Sequence, residues 1–287
     1  MTGTLLSLGH GYTAAALARR LPGWRIIGTT RREEKAARLA RAGVEALVWP
    51  GADLGPAIAG ASHVLVSIAP GADGDPVLVD WREALARRAR ALAWVGYLST
   101  TGVYGDRRGG WVDETAPLAP TTERGKQRLG AEQAWRGLAT ESGLPLHIFR
   151  LAGIYGPGRG PFEKVRNGSA RRIIAENQYF SRIHVEDIAT VLAASIARPD
   201  PGAIYNVADD DPCPPEDVLA EAARLLGLPL PPEVRLEDAE MSPLARSFYA
   251  ESKRVRNDRI KTELGVTLAY PDYRAGLGAL LRDLPGG

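Results

Sequence analysis

The residues best suited to chemistry stand near the start of the chain, in Leu8-Gly9-His10-Gly11-Tyr12-Thr13-Ala14. Their spacing is Gly-x-Gly-x-x-Ala, directly after a short apolar run and at the opening of a helical pattern. At a strand-to-helix junction Gly9 permits the tight turn and Gly11 lets a pyrophosphate approach the backbone. Ala14 allows close packing of helix on strand. The helix N-terminus then faces the negative charge. His10, Tyr12 and Thr13 complete the loop and are expected beside the same ligand. A glycine-rich turn of purely structural use is the alternative.

A dinucleotide also needs a group for its adenosine ribose. At the end of the second strand a carboxylate would grip the 2′-hydroxyl of NAD, but this chain has Thr29-Thr30-Arg31-Arg32. Two guanidinium groups and two hydroxyls suit a 2′-phosphate, which Arg binds in planar, bidentate fashion. The expected cofactor is therefore NADP(H), with NAD the lesser candidate, unless both arginines are plain surface residues at a helix start. Asp53-Leu54 and Ser67-Ile68-Ala69 are placed to flank adenine and ribose.

These groups need a frame, and the apolar pattern supplies one. Short apolar runs at 5–8, 25–29, 46–49, 64–68, 94–99 and 146–150 alternate with helical patterns at 14–20, 33–42, 80–92 and 125–139. Such alternation means right-handed crossovers and an α/β, doubly wound parallel sheet of the NAD(P)-binding Rossmann type. After residue 150 a cluster of Gly and Pro breaks the rhythm, and a helix at 184–197 and a strand at 203–207 resume it. Residues 1–152, completed by about 182–208, are expected to form the dinucleotide-binding domain. Residues 153–181 and 209–287 are expected as a smaller substrate-binding region, with helices at 215–226 and 252–264.

Composition narrows the classes. Against 36 Lys and Arg stand 34 Asp and Glu, leaving a net charge of +2, so bulk electrostatics favours neither nucleic acid nor a membrane surface. One cysteine and four scattered histidines offer no disulfide and no zinc-like ligand spacing, so no metal is expected. No apolar run reaches the ~20 residues that span a bilayer. The apolar start is too short for a signal peptide. A cytoplasmic protein with a small-molecule substrate is expected.

Further along, Leu98-Ser99-Thr100-Thr101-Gly102-Val103-Tyr104-Gly105-Asp106 resembles the Ser-Ser/Thr-x-x-Val-Tyr-Gly segment of extended short-chain dehydrogenases/reductases, the NAD-dependent epimerase/dehydratase family. Other stretches match in order: Val112–Pro117, with its acidic-then-Pro pattern, Arg150–Gly158, Arg182–Ala189 and Tyr205–Ala208. The resemblance covers nearly the whole chain. It implies that Thr100 is the catalytic hydroxyl that hydrogen-bonds the reacting oxygen. It also implies a catalytic Tyr and Lys four residues apart on the next helix, commonly with a Glu four beyond the Lys. Alignment on Glu132 puts Arg128 at the Lys position and Arg124 at the Tyr position, and no Tyr-x-x-x-Lys pair occurs nearby. Arg stays protonated at every accessible pH and cannot relay protons as a tuned Tyr does. Leu8 also stands where the family's Gly-x-x-Gly-x-x-Gly begins. Both departures resemble the atypical branch of the superfamily.

Tyr104, Arg159, Arg166 and Arg182 are the substrate candidates, with Arg171 and Arg172 in the same loop-rich stretch. Arginines so clustered suit an anionic or diphosphate-bearing substrate; a solvated basic surface is the alternative. Tyr155 and His184 have local structural roles as their plainest readings, and the basic run 253–261 reads as an exposed helix face. Two functions remain open. One is an NADP(H)-dependent oxidoreductase or epimerase on a small polar or nucleotide-linked substrate, with Tyr104, a substrate group or water moving the proton. The other is an NADP(H)-binding sensor without turnover. By analogy the helices at 80–92 and 125–139 are the candidate homodimer contact.

Overall fold

The computed structural model describes residues 2–284. Seven of the apolar runs hydrogen-bond side by side in one parallel sheet: β1 (Thr4–Leu8), β2 (Arg25–Thr30), β3 (Glu45–Val48), β4 (His63–Val66), β5 (Trp94–Thr100), β6 (Leu146–Leu151) and β7 (Ile204–Val207). Their order is β7-β6-β5-β4-β1-β2-β3. The chain winds outward from β1 in one direction, then restarts at β4 in the other. The crevice beyond the C-terminal ends of β1 and β4 is thus the switch point where such sheets take ligands.

Side chains alternate between the two faces with the strand period of two. Leu5, Leu65, Leu98 and Phe149 face one core, which is completed by α1 (Tyr12–Arg19) and by a later helix, Val185–Ala197. Leu6, Leu8, Val64, Val66 and Tyr97 face the other. That second core is completed by a helix at Gly55–Gly60, by Pro76–Arg88 and by the long helix Glu123–Ser142. Counting Glu33–Arg41 as α2, these three are α3, α4 and α5. Phe162–Arg166 is α6, Val185–Ala197 is α7, Pro215–Leu226 is α8 and Tyr273–Arg282, the last helix, packs with α6 and α8 around Tyr155, Phe162 and Leu277.

Several boundaries differ from expectation, for local reasons. The helix expected from 80 begins at Pro76, because Asp75 caps it, its Oδ1 accepting from Val77 N at 2.9 Å, and Pro suits the first turn. The expected helix at 252–264 shrinks to Asp258–Thr262. Before it, Arg254–Val255 pairs in parallel with Trp111–Val112. Lys253 and Val255 turn inward while Arg254 and Arg256 lie over the rings of Tyr179 and Trp111. The charges that suggested a helix face follow the strand period.

One buried network ties the substrate half of the sheet together. Glu132 on α5 and Arg150 on β6 are ion-paired with side chains 2% exposed, Nε to Oε1 at 3.2 Å and Nη2 to Oε2 at 2.8 Å. Ser99 Oγ donates to the same carboxylate. Arg150 Nη1 donates to the Tyr104 hydroxyl at 3.0 Å, which donates to Asn206 Oδ1 on β7 at 2.7 Å. Removing one partner strands the other's charge, so Arg150→Met is expected to cost about 3–5 kcal/mol. Denaturant unfolding measures it, and Glu132→Leu/Arg150→Met, which removes both charges, should recover part of the loss.

Candidate active site

The glycine loop is pinned from both sides. Gly9 sits at φ +82°, and a Cβ there would lie 2.7 Å from Ile68 Cγ1, so both backbone and space require glycine. Its N–H donates to Thr29 Oγ1 at 2.7 Å, and Ser67 Oγ donates to its carbonyl. Gly11 differs. A Cβ there would meet only Gly9 O, at 3.7 Å, so the protein itself leaves the space open. Gly11 is the N-cap of α1 and no side chain caps the helix amides. An open space before unsatisfied N–H groups fits a pyrophosphate.

The side chains around this loop sort differently from expectation. The His10 ring is 2% exposed and lies against Gly28, and its Nδ1 has no hydrogen-bond partner. Burial lowers its pKa to about 4, the positive charge of Lys35 adding to the effect. Only its backbone serves the loop. Leu54 is fully buried in the core, so its side chain does not flank a ligand, whereas Asp53 is exposed and its Oδ1 accepts from Gly55 N at 2.8 Å. Thr29, read with Thr30 as a phosphate-facing hydroxyl, spends that hydroxyl on Gly9, and Thr30 is buried with its Oγ1 toward Arg32 N at 3.5 Å. The two-hydroxyl reading of this turn is thereby corrected: the exposed groups are Arg31 and Arg32, where β2 passes into α2.

Two adjoining cavities continue from the loop. One, about 350 Å³, is lined by Gly9, Gly11, Tyr12, Thr13 and Ser67; the other is about 670 Å³ and opens past Ala69 toward the C-terminal segment. Thr100, Arg128 and Arg159 line both. Thr100 ends β5, its Oγ1 accepting from Gly102 N at 3.2 Å. Arg128 Nη1 donates to Leu98 O at 2.9 Å, to the Tyr97 hydroxyl at 3.2 Å and to Ile68 O at 3.4 Å. The guanidinium at the Lys position is thus anchored on the ends of β4 and β5. Arg124, one turn earlier, is exposed on the wall of the larger cavity.

Of the substrate candidates, Arg159 and Arg182 line the larger cavity; Arg182 Nη1 donates to Phe180 O and to Cys213 Sγ, each at 3.0 Å. Tyr104 does not reach it. Fully buried, with its hydroxyl shared between Arg150 and Asn206, it is a scaffold residue and cannot carry a proton to a substrate. Arg166 points to solvent at the end of α6, outside both cavities. His184 caps α7, its Nδ1 accepting from Glu186 N at 3.2 Å, and burial lowers its pKa to about 4. Lys253 lines the larger cavity although the run 253–261 was read as an exposed helix face, and Glu251, which the sequence did not single out, lines it too. Alternating small and charged residues at 250–253 were the available signal.

A doubly wound sheet with an open glycine loop at its switch point and a threonine hydroxyl at the end of β5 defines a dinucleotide-binding α/β protein. The chain belongs to the NAD dependent epimerase/dehydratase family, whose model matches residues 8–208. Protein YeeZ of Escherichia coli K12 is 32% identical over 196 residues, 68% of this chain and 63% of YeeZ; the match thus spans less than two thirds of that relative's length. The structure of a functionally unknown conserved protein from Silicibacter pomeroyi DSS is 60% identical, with TM-score 0.92, covering 98% of this chain and 99% of that one. UDP-glucuronic acid 4-epimerase from Bacillus cereus, in complex with NAD, shares the fold at 14% identity and TM-score 0.75, covering 98% and 99% of the two chains. Among the described residues no helix is long and apolar enough to cross a membrane, and no cluster of His, Cys, Asp or Glu could hold a metal ion.

Two outcomes follow from this geometry. Gly11→Val is expected to fold cooperatively, since the added atoms meet only open space, yet to lose dinucleotide binding. Calorimetric titration beside thermal unfolding separates the two effects. The second concerns Asp209, which follows β7, is 1% exposed and has both carboxylate oxygens without a partner. Burial raises its pKa to about 8, against the opposing pull of Arg182. Folded, it binds a proton better than when unfolded, so the stability it contributes is full below about pH 4 and lost as pH rises toward 8. His10 and His184, with lowered pKa values, bind protons less well when folded and favour stability as pH rises from about 4 to 6.5. Asp209→Asn should therefore flatten the decline between about pH 6.5 and 8, read as Tm against pH; an unchanged decline would assign it elsewhere.

Proposed function

We propose that the protein is an NADP(H)-dependent oxidoreductase or epimerase acting on a small polar or nucleotide-linked substrate with an anionic group. The observation that carries this reading is the continuity of the two cavities, from the Gly11 amides past Thr100 to a wall bearing Arg124, Arg159 and Arg182. Gly11, Thr13 and the first amides of α1 would hold the pyrophosphate, and Arg31 and Arg32 the 2′-phosphate. Asp53 and Ser67-Ile68-Ala69 would flank the adenosine. When bound, the nicotinamide supplies or accepts hydride. Thr100 would hydrogen-bond the reacting oxygen, and the guanidinium of Arg128 would hold positive charge beside it without exchanging a proton. Residues 153–181 and 209–284 would form the substrate side. The name of the Bacillus cereus protein gives UDP-glucuronic acid as an example of a substrate class that so basic a wall would suit. The arginines at 124 and 128 favour a second reading, a sensor that holds NADP(H) without turnover.

The test is cofactor choice. NADPH is expected to bind more tightly than NADH, and Arg31→Ala and Arg32→Ala should each cost about 1.5–3 kcal/mol for NADPH alone, the value of a charge-assisted contact. Calorimetry with both dinucleotides decides; equal affinities in the unaltered protein would remove the case for NADP(H).

A further inference from the structure

The larger cavity contains an amine. Lysine is scarce in this chain, five residues among 36 basic ones, and Lys253 is the lysine on the cavity wall, 8% exposed. Its Nζ donates to Glu251 Oε2 at 2.7 Å. Glu251 Oε1 in turn accepts from Thr121 N at 3.2 Å and Thr121 Oγ1 at 2.7 Å, at the entrance to α5. Thr122, the N-cap of α5, and Arg124 line the same cavity. Gly125 is packed so closely that a Cβ there would lie 3.0 Å from Gly102 O, two residues beyond Thr100. The ammonium is therefore tied through Glu251 to Thr121, just ahead of the N-cap of α5, on a cavity whose lining also includes Thr100.

We propose that Lys253 is the catalytic acid–base residue of this site, oriented by Glu251, in place of the tyrosine that position 124 lacks. The proposal rests on the hydride-transfer reading given above. In the reductive direction a substrate carbonyl carbon accepts hydride from reduced nicotinamide and its π pair becomes an alkoxide lone pair. An O–H bond then forms as one Nζ–H bond of Lys253 breaks, nitrogen keeping the electron pair. The amine regains its proton from water at the cavity mouth. The products are the alcohol and oxidised nicotinamide, and the oxidative direction reverses each step.

Among the neighbouring groups Tyr179 is the competing proton donor, and the others are excluded by their chemistry or their contacts. Guanidinium groups at 124, 128, 159 and 182 supply charge but no transferable proton. Tyr155 donates to Asp272 O at 3.3 Å, and burial pushes its pKa far up. The Tyr179 ring lies 3.6 Å from the Arg254 guanidinium. Two carboxylates face the ammonium: Glu251, and Asp106, whose Oδ1 accepts from Ser252 N at 2.8 Å; against burial, the N–H groups of Ser252 and Arg108 hold the Asp106 carboxyl below its usual value, and Lys253 adds a smaller pull. For Glu251 burial alone would raise the pKa, but hydrogen bonds from Lys253 and Thr121 bring it below its usual value. It remains a carboxylate that can orient Nζ.

Two measurements test the proposal. The first needs no turnover: pyridoxal 5′-phosphate followed by borohydride marks amines that open into the cavity, and peptide mapping locates them. Lys253 should be marked in the free protein and protected by NADPH; an unmarked Lys253 overturns the proposal. The second follows NADPH oxidation with UDP-4-keto-6-deoxyglucose and a set of aryl aldehydes. Lys253→Ala and Lys253→Arg should both lose about 100-fold or more in kcat, with NADPH affinity retained. Added ethylamine should restore Lys253→Ala in proportion to its concentration, which a structural role would not allow. Wild-type rates in Lys253→Arg, or a comparable loss in Tyr179→Phe alone, would overturn the assignment and leave hydride transfer standing. No oxidation of NADPH with any carbonyl would instead remove the hydride-transfer reading itself.

Discussion

A carboxylate and a guanidinium buried against each other hold the site half of this molecule in register. Glu132 and Arg150 are buried together, and the desolvation of each is offset only while the other is in place. The pair extends through Ser99 to β5 and through Tyr104 to Asn206 on β7. Thr100 follows Ser99 directly, so the hydroxyl at the end of β5 inherits its place from an ion pair it does not touch. Nearby, Asp75 accepts from Trp135 Nε1 at 3.1 Å, fixing the start of α4 against α5. The helix that carries positions 124 and 128 is thus located by buried polar contacts along its length, while its own cavity-facing residues belong to none of that network except through backbone.

That separation explains a feature of the chain. Tyr104, Arg150 and Asn206 lie in the stretches by which the family is recognised, and all three serve the scaffold. Arg124 and Lys253 face the cavity, outside the network. The groups on the cavity wall can therefore change identity without loosening the sheet that holds them.

The sheet was legible because its strands are short apolar runs whose residues alternate between two cores, and because Gly9 and Gly11 punctuate the first of them. Strand boundaries fell within one or two residues. Helix starts were less legible: Pro76 reads as a breaker until Asp75 is seen to cap the turn. The tail misled for a different reason. Arginines at 254 and 256 and a lysine at 253 match either a solvated helix face or an alternating strand, and only the partner strand at Trp111–Val112, far away in sequence, selects the latter. The same remoteness hid Lys253. Tyr104 misled in the opposite sense, since a tyrosine so close to Thr100 looks reactive until Arg150 and Asn206 are found on its hydroxyl.

The contact between Tyr12 and the loop after β6 bears on how long a dinucleotide stays. Tyr12 donates to Pro157 O at 2.9 Å and Arg159 lies 4.5 Å over its ring, and both side chains are part of the wall of the smaller cavity. This fastening is solvent-exposed. One such hydrogen bond and one such cation–π contact together hold with about 1–2.5 kcal/mol, so that part of the wall opens at little cost. Under the function proposed above, a dinucleotide behind so light a clasp would be released and replaced between cycles, as a cosubstrate is, rather than kept as a resident group reoxidised in place.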